Sequence, residues 1–232
     1  MSKFLQLKNI SKNFNIEKKI KVLNKLSYNF KKGKVYSLMG PSGSGKSTLL
    51  NLISLIDRPT NGSIKFDNIQ VNFNDKNKND IFRAKKIGIV YQQNNLLPDF
   101  TALENLYLAI LSINDNKKMA MLKAEKLLKR IGLSSRSNHF PSQLSGGESQ
   151  WVAIARAIIN DPDIILADEP TGSLDMKTAK DIFALLNNQK KRNRLIIFAT
   201  HNRFFAKKAD YLLEMTNGSI KSTNVWVIIQ KF

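Results

Sequence analysis

One loop of the sequence has residue types suited to holding a phosphate chain: Gly40-Pro41-Ser42-Gly43-Ser44-Gly45-Lys46-Ser47-Thr48. It fits the pattern G-x-x-x-x-G-K-[ST], follows the apolar segment VYSLM and runs directly into a helical pattern. Glycines let backbone N–H groups surround phosphate oxygens, and a helix N-terminus adds partial positive charge. We therefore expect Lys46 to reach the β- and γ-phosphates of a nucleotide and Ser47 to ligate Mg²⁺. The alternative is a glycine-rich turn that only starts a helix.

Two acids, Asp168 and Glu169, follow the apolar segment IILA. Charge at the end of a buried strand is costly unless a metal or a ligand compensates it. We expect Asp168 to hold Mg²⁺ through water and Glu169 to orient or deprotonate an attacking water. The alternative for Glu169 is an exposed acid at a strand end.

A second glycine-containing segment is Ser145-Gly146-Gly147-Glu148. Its S-x-x-E spacing is that of a capping box, so the serine and the glutamate are explained if the segment merely starts a helix. Two adjacent glycines at a helix start also leave N–H groups open to an anion. The segment therefore predicts a second phosphate-binding surface beside the simpler explanation.

The elements around these motifs alternate between strands and helices. Short apolar runs at 35–39, 163–167 and 194–200 predict buried parallel strands, and the segments STLLNLISLI and TAKDIFALLNNQKK predict helices between them. This alternation predicts an α/β fold with helices on both faces of a mainly parallel sheet.

The remaining segments predict two additions to this core. Residues 102–159 have helical patterns without strands, including a helix that ends near Gly132, whereas the first 30 residues and 62–91 contain short alternating strands. Asn217-Gly218 is a hairpin turn signal. We expect residues 1–232 to form one nucleotide-binding domain, with a core lobe at about 1–91 and 151–232, an antiparallel β lobe, and an inserted helical lobe at about 92–150.

The composition narrows the class of protein. With 42% hydrophobic residues the chain can bury a core, and with no cysteine it has no disulfide or thiol chemistry. No apolar run approaches the roughly 20 residues of a spanning helix, so membrane contact is expected to be peripheral. The net charge of +19 invites a polyanion partner, but the lysines are scattered and lack interleaved aromatic residues, which favours a solvated surface over nucleic-acid binding.

Taken together, LSGGE at 144–148, the phosphate loop, the Asp-Glu pair, Ser173-Leu174-Asp175 and His201 resemble the motifs of an ABC transporter ATPase, in matching order over nearly the whole chain. The resemblance implies a P-loop NTPase fold that uses ATP and Mg²⁺. It also implies a head-to-tail dimer, in which Ser145 and Gly147 of one subunit contact the γ-phosphate held by the other. Two integral membrane subunits would be the further partners.

The resemblance assigns roles to three more residues. Gln92 would lie in the loop that touches Mg²⁺ and the attacking water and contacts the membrane subunits, and His201 would bind the γ-phosphate. Phe14 would stack on adenine. From the residues alone, Gln92 could be an ordinary polar loop residue, His201 a surface or core imidazole, and Phe14 a core phenylalanine.

Within this family the segment LPDFTALEN at 97–105, Asn138-His139 and LLEM at 212–215 closely resemble the ATPase subunit of the bacterial lipoprotein-releasing system. This implies a position on the cytoplasmic face of the inner membrane. Macrolide-exporter and cell-division ATPases are similar alternatives. Ser149, Trp151 and Asn202 depart from the usual family pattern, and Trp151 stands where a basic residue is usual.

Two rival classes remain. A soluble ATPase for nucleic acid or the ribosome shares this core, but such proteins usually add a second ATPase domain or a long coiled coil, and no heptad run of that length is found. A regulatory subunit that binds without hydrolysing is disfavoured because Glu169 and His201 are both present.

Overall fold

The computed structural model describes residues 3–15, 19–172 and 174–224. The strands are β1 (Lys3–Asn15), β2 (Lys19–Lys31), β3 (Val35–Met39), β4 (Asn61–Phe66), β5 (Ile69–Gln70), β6 (Ile87–Val90), β7 (Ile164–Asp168), β8 (Leu195–Ala199), β9 (Tyr211–Thr216) and β10 (Ser219–Asn224). The helices are α1 (Lys46–Ile53), α2 (Lys76–Lys86), α3 (Ala102–Leu111), α4 (Lys117–Arg130), α5 (Gly146–Ile158), α6 (Met176–Asn187) and α7 (Arg203–Ala206).

The central sheet has six strands in the order β10-β9-β3-β8-β7-β6. The five strands from β9 to β6 are parallel, and β10 pairs antiparallel with β9. This confirms the predicted α/β class and the three predicted core strands. The central strands β7 and β8 are almost wholly buried, which is why they are read in the sequence as continuous apolar runs.

Alternate residues of the central strands pack on opposite faces of the sheet. Ile164 and Leu166 of β7 join a cluster that includes α1 and the N-terminal strands, whereas Ile165 joins a cluster with α5 and α6. In β8, Ile197 and Phe198 divide between the two clusters in the same way. Both faces of the sheet are therefore covered, as the alternation of strands and helices predicts.

A second, antiparallel sheet has the order β2-β1-β4-β5. The sequence predicts short strands here, but β1 and β2 are each 13 residues long, and their register shifts repeatedly along their length. Bulges of this kind interrupt strict alternation, so one long strand looks like several short ones in the sequence.

Helix α2 is absent from the sequence-based prediction, which treats 62–91 as strands only. None of its residues is fully buried, and few of them are apolar, although Phe82 packs against the core, so the sequence shows little helical periodicity. Asp75 caps it by accepting a hydrogen bond from Lys78 N at 3.1 Å. The capping aspartate is therefore a feature of the sequence that indicates the start of this helix.

Helices α3, α4 and α5 pack around a third apolar cluster. Helix α5 contributes Val152 and Ala155 to this cluster and Ile154 to the cluster beneath the central sheet, so it touches both. Trp151, in the second turn of α5, also packs against both clusters. Helix α5 is therefore at the contact between the helical and sheet parts of the chain.

The predicted hairpin turn is confirmed between β9 and β10. Asn217 and Gly218 both have positive φ, 49° and 70°, as a two-residue hairpin turn requires. Across the part of the chain that the structure describes, no helix has the length and apolar character needed to cross a membrane.

Candidate functional site

The predicted site residues meet at one edge of the central sheet because its parallel strands end there. The phosphate loop follows β3, Gln92 follows β6, Asp168 ends β7, and His201 follows β8. Side chains that are far apart in sequence are therefore brought together at the carboxyl ends of the strands, the edge at which open α/β sheets bind ligands.

The loop between β3 and α1 is fixed by its own backbone. Gly45 caps α1 with φ of 98°, a left-handed conformation that glycine adopts without strain. The Lys46 ammonium donates hydrogen bonds to the carbonyls of Gly40 at 2.8 Å and Pro41 at 3.0 Å. The lysine is thus held across the mouth of the loop at the N-terminus of a helix.

Glu169 and His201 form a direct contact beside this loop. The distance from His201 Nδ1 to Glu169 Oε1 is 3.0 Å, while Glu169 Oε2 is buried and lacks a hydrogen-bond partner among the described residues. Glu169 has φ of 46°, and its N–H donates to Ala199 O at 3.0 Å. The backbone of β8 therefore fixes Glu169 where β7 ends.

These side chains line a cavity of about 600 Å³. Its lining residues are Val22, Gly40, Pro41, Ser42, Gly43, Gly45, Lys46, Ser47, Thr48, Gln92, Asp168, Glu169 and His201. Of the loop residues predicted to bind phosphate, Ser44 alone is outside this lining, because its side chain is buried beneath the loop. Val22 was missed, since a valine in a strand carries no chemical signal.

The fit of this cavity to Mg²⁺ can be judged from its donors. The cation prefers oxygen ligands and retains waters and phosphate oxygens, so few protein ligands are needed. The Ser47 hydroxyl, the Gln92 amide and the Asp168 carboxylate all line the cavity. Among the described residues no group of three or more His, Cys, Asp or Glu is placed to hold a metal ion.

Phe14 lies near the end of β1 and does not line the cavity, and its ring is 37% exposed. This exposure is inconsistent with the interpretation of Phe14 as a core phenylalanine. Its stacking on adenine stays a prediction. The ammonium of Lys12 lies 4.9 Å from the centroid of the Phe14 ring.

The segment from Ser145 to Glu148 is outside the lining of the cavity and starts α5 as a complete capping box. Glu148 Oε2 accepts from Ser145 N at 2.8 Å, and Glu148 Oε1 accepts from Arg136 Nε at 2.8 Å. The backbone hydrogen bond from Ser145, followed by the contact with Arg136, lowers the pKa of Glu148 to about 2. The local capping explanation is therefore confirmed, and the second phosphate-binding surface stays a prediction.

The loop that follows Gln92 is attached to α3 and α5 by two polar side chains. Arg156 of α5 donates to the carbonyls of Asn94 and Asn95 at 3.2 and 2.8 Å. Asn105, fully buried in α3, accepts from Leu97 N at 2.8 Å and donates to the Leu97 carbonyl at 3.1 Å. These hydrogen bonds attach the loop to the two helices, while Gln92 lies in the cavity.

Asn202 and Ser149, which depart from the usual family pattern, both take part in local structure. Asn202 Oδ1 accepts from Phe204 N at 2.9 Å and caps α7, a task that an acid performs equally well. Ser149 is buried in the first turn of α5. Ser173 lies outside the described residues, and its neighbour Asp175 caps α6.

A doubly wound sheet, a phosphate loop at a helix start and two acids at the end of β7 together define a P-loop nucleoside triphosphatase. The family model described as ABC transporter matches residues 23–172. The chain belongs to the ABC transporter family.

Relatives match almost over their whole length. The lipoprotein-releasing system ATP-binding protein LolD of Rickettsia bellii is 42% identical over 221 residues, which cover 94% of this chain and 98% of the relative. The protein of the same name from Wigglesworthia glossinidia brevipalpis is 43% identical over 225 residues, covering 95% and 97%.

Solved structures agree with the fold. The dimeric post-hydrolysis state of the ATP-binding cassette MJ0796 bound to ADP and Pi superposes with a TM-score of 0.89 at 38% identity, covering 95% of this chain and 98% of that one. CbiO1 from Clostridium perfringens, part of the ABC transporter complex cbiONQ, gives 0.83 at 26% identity over 100% and 92%.

Proposed function

We propose that the chain is the ATP-hydrolysing subunit of an ABC transporter that powers release of lipoproteins from the bacterial inner membrane toward the outer membrane. The observation that carries this proposal is the single cavity that contains the phosphate loop, Gln92, Asp168, Glu169 and His201. The cargo rests on the similarity to LolD proteins, which are 42% and 43% identical over almost their whole length.

The phosphate groups of ATP are bound by the loop from Gly40 to Thr48. Its backbone N–H groups and the N-terminus of α1 supply positive potential, and Lys46 exchanges its two carbonyl partners for the β- and γ-phosphates. Phe14 stacks on adenine with the exposed part of its ring. Ser47, Gln92 and Asp168 hold Mg²⁺, which neutralises charge on the phosphates when bound.

Glu169 positions the attacking water and accepts its proton. Its side chain lines the cavity beside the phosphate loop, and its Oε1 lies 3.0 Å from His201 Nδ1. His201 binds the γ-phosphate from the end of β8. Phosphoryl transfer needs mainly such positioning and charge neutralisation, and no covalent enzyme intermediate is required.

The active form is a head-to-tail dimer of two copies. Ser145, Gly146, Gly147 and Glu148 lie outside the cavity of their own chain, and Ser145 and Gly146 are exposed. The free end of α5, stabilised by its capping box, is suited to receive the γ-phosphate held by the other copy. The dimeric ADP-bound neighbour MJ0796 supports this arrangement.

The membrane partners are two integral membrane subunits, contacted through the loop after Gln92. Leu97 and Phe100 in this loop are 42% and 38% exposed, and the loop is attached to the helices by Asn105 and Arg156. A core lobe at about 1–91 and 151–232 would turn relative to a helical lobe at about 92–150 when ATP closes the dimer. The chain would then act peripherally on the cytoplasmic face of the inner membrane.

The test is affinity purification of tagged Glu169→Gln protein from detergent-solubilised membranes in the presence of ATP, with Lys46→Ala as the matched variant that cannot retain the nucleotide. We expect two multi-spanning subunits with a large periplasmic domain, together with a mature lipoprotein, from the first variant. Recovery of the membrane subunits of a drug or peptide exporter, or of a cell-division complex, would contradict the proposal that the cargo is a lipoprotein. Ribosomes or DNA without membrane protein would contradict the transporter assignment.

A further inference from the structure

Lys12 is a buried cation at the end of β1. The residue is 9% exposed, its ammonium lies 2.6 Å from Asp57 Oδ1, and it donates to the Arg58 carbonyl at 3.0 Å. Burying an ammonium group is costly unless it is paired and hydrogen-bonded. These two acceptors satisfy two of its three N–H donors and fix the position of the nitrogen.

The same ammonium faces the Phe14 ring, with 4.9 Å between the nitrogen and the ring centroid. At this distance a cation is attracted to the face of an aromatic ring. Lys12 and Phe14 are two residues apart in β1, and this contact brings their side chains together although the register of β1 shifts between Lys12 and Asn13. The ring, which is 37% exposed, is therefore held from one side and open on another.

The anchor for Lys12 belongs to the chain that leaves α1. The N–H groups of Ile56 and Asp57 both donate to Asn51 O, at 3.1 and 3.2 Å, so the turn is fixed to the helix. Thr60 continues the attachment, because its N–H donates to Ser11 O at 2.8 Å and its hydroxyl accepts from Asn13 N at 3.0 Å. The end of β1 is thereby linked to the helix that begins with Lys46.

We propose that Lys12 is a positioning residue for the nucleotide base: held by Asp57 and Arg58, it fixes the Phe14 ring at a set place relative to the phosphate loop. The inference rests on the proposed function, in which Phe14 stacks on adenine. Lys12 does not touch the nucleotide. Its loss frees the ring to rotate, which weakens the base contact and leaves the phosphate contacts as they are.

The test compares Mg²⁺-ATP with Mg²⁺-tripolyphosphate, a ligand that has the phosphates but no base, by titration calorimetry on the full chain. For Lys12→Met we expect about three- to tenfold weaker ATP binding, the size of one cation–π contact, and unchanged tripolyphosphate binding. In hydrolysis assays KM for ATP rises by the same factor and kcat is unchanged. Lys12→Arg, which keeps the charge, restores most of the affinity.

The matched control is Lys32→Met. Lys32 also pairs with an aspartate, Asp67 at 2.8 Å, and lies 4.4 Å from an aromatic centroid, that of Phe4. It follows β2, whose last residue pairs with Lys3 at the opposite end of β1, and it is not part of the cavity lining. Its replacement is expected to leave both affinities unchanged.

A double mutant separates positioning from a general structural role. In a Phe14→Ala background Lys12→Met should cause no further loss of ATP affinity. The inference would be overturned if Lys12→Met weakened ATP and tripolyphosphate binding equally. It would also be overturned if Lys12→Met weakened ATP binding in the Phe14→Ala background by as much as it does in the unmodified chain. Asp57→Ala, which leaves Lys12 in place with only the Arg58 carbonyl as its acceptor, gives the same ATP-selective loss if Lys12→Met does not fold.

Failure of the proposed function has a different signature. If the unmodified chain binds neither ligand, the nucleotide site itself is wrong. If Phe14→Ala leaves the ratio of ATP to tripolyphosphate affinity unchanged, Phe14 is not the base platform, and the inference about Lys12 falls with it.

Discussion

His201 Nδ1 lies 3.0 Å from Glu169 Oε1, and the two residues come from the ends of neighbouring parallel strands. The imidazole is 70% exposed and the carboxylate only 11%, so the histidine covers a largely buried acid. A ligand that enters the cavity meets the imidazole first and the carboxylate behind it. Hydrolysis and ATP binding should therefore be separable by substitution at this pair.

Glu169→Gln is expected to lower the hydrolysis rate at least about 100-fold, because the amide cannot accept the proton of the attacking water. ATP affinity should be retained, and the variant should become a dimer on addition of ATP, since the nucleotide is no longer consumed. Steady-state phosphate release and light scattering measure the two effects. Turnover near the unmodified rate would exclude Glu169 as the base.

The contribution of Ser145 from the partner copy is testable by mixing two inactive variants. Lys46→Ala destroys the phosphate loop and Ser145→Arg the start of α5, so each homodimer should be inactive. Because a mixed dimer contains one intact interface, mixing should restore up to about a quarter of the unmodified rate. No recovery on mixing, with both variants folded, would place Ser145 in its own chain's site, whereas an active Ser145→Arg homodimer would place it outside the site.

Gly88 in β6 is a position without room for a side chain. A Cβ there would lie 2.1 Å from the Ala157 carbonyl oxygen of α5, so Gly88→Ala should lower the free energy of unfolding by roughly 1–3 kcal/mol. Gly146→Ala is the matched control, because nothing lies within 4 Å of the Cβ position. Urea unfolding of both variants decides the point, and equal stabilities would contradict the packing of β6 on α5.

The capping box of α5 should show a specific pH dependence. Because the pKa of Glu148 is lowered from 4.5 to about 2 in the folded chain, its contribution to stability is complete above pH 4.5 and is lost as the pH falls toward 2. The difference in unfolding free energy between the unmodified chain and Glu148→Gln should shrink over that window. Glu125→Gln, at an exposed acid of α4 with no ion pair among the described residues, should show no such trend. A pH-independent difference would contradict the role of the charge.

Trp151→Arg restores the basic residue usual in the family. Because Trp151 packs against two apolar clusters, we expect a loss of roughly 1–2 kcal/mol in unfolding free energy and a changed ATPase rate in the presence of the membrane subunits. Trp151→Phe separates the two causes, since it keeps an apolar ring and adds no charge. Unchanged stability together with unchanged rates would show that the position is neutral.

The parallel core and its loops were predictable from sequence because buried strands and the phosphate loop have strong local patterns. The bounds of β3 and α3 match the segments VYSLM and ALENLYLAIL, and the acids, Gln92 and His201 do gather in one cavity. Helix α2 was missed because few of its residues are apolar and none is fully buried, so it shows little apolar period. Its capping aspartate is a weaker signal than periodicity.

Other contacts depend on tertiary structure and could not be predicted. The pairing of Lys12 with Asp57 joins residues 45 apart in sequence, and the attachment of Arg156 to Asn94 joins residues 62 apart. A surface lysine and a buried one look the same in a lysine-rich chain. The placement of Val22 against the phosphate loop likewise follows from the packing of β2 and not from its chemistry.

The position of Trp151 makes it an intrinsic fluorophore at the contact between the helical cluster and the sheet. The chain has two tryptophans, and the second, Trp226, lies outside the described residues. In a Trp226→Phe background, emission would come from a single indole that touches both apolar clusters. Any nucleotide-driven rotation of one against the other would then change the polarity around that indole and be followed in real time without an added dye.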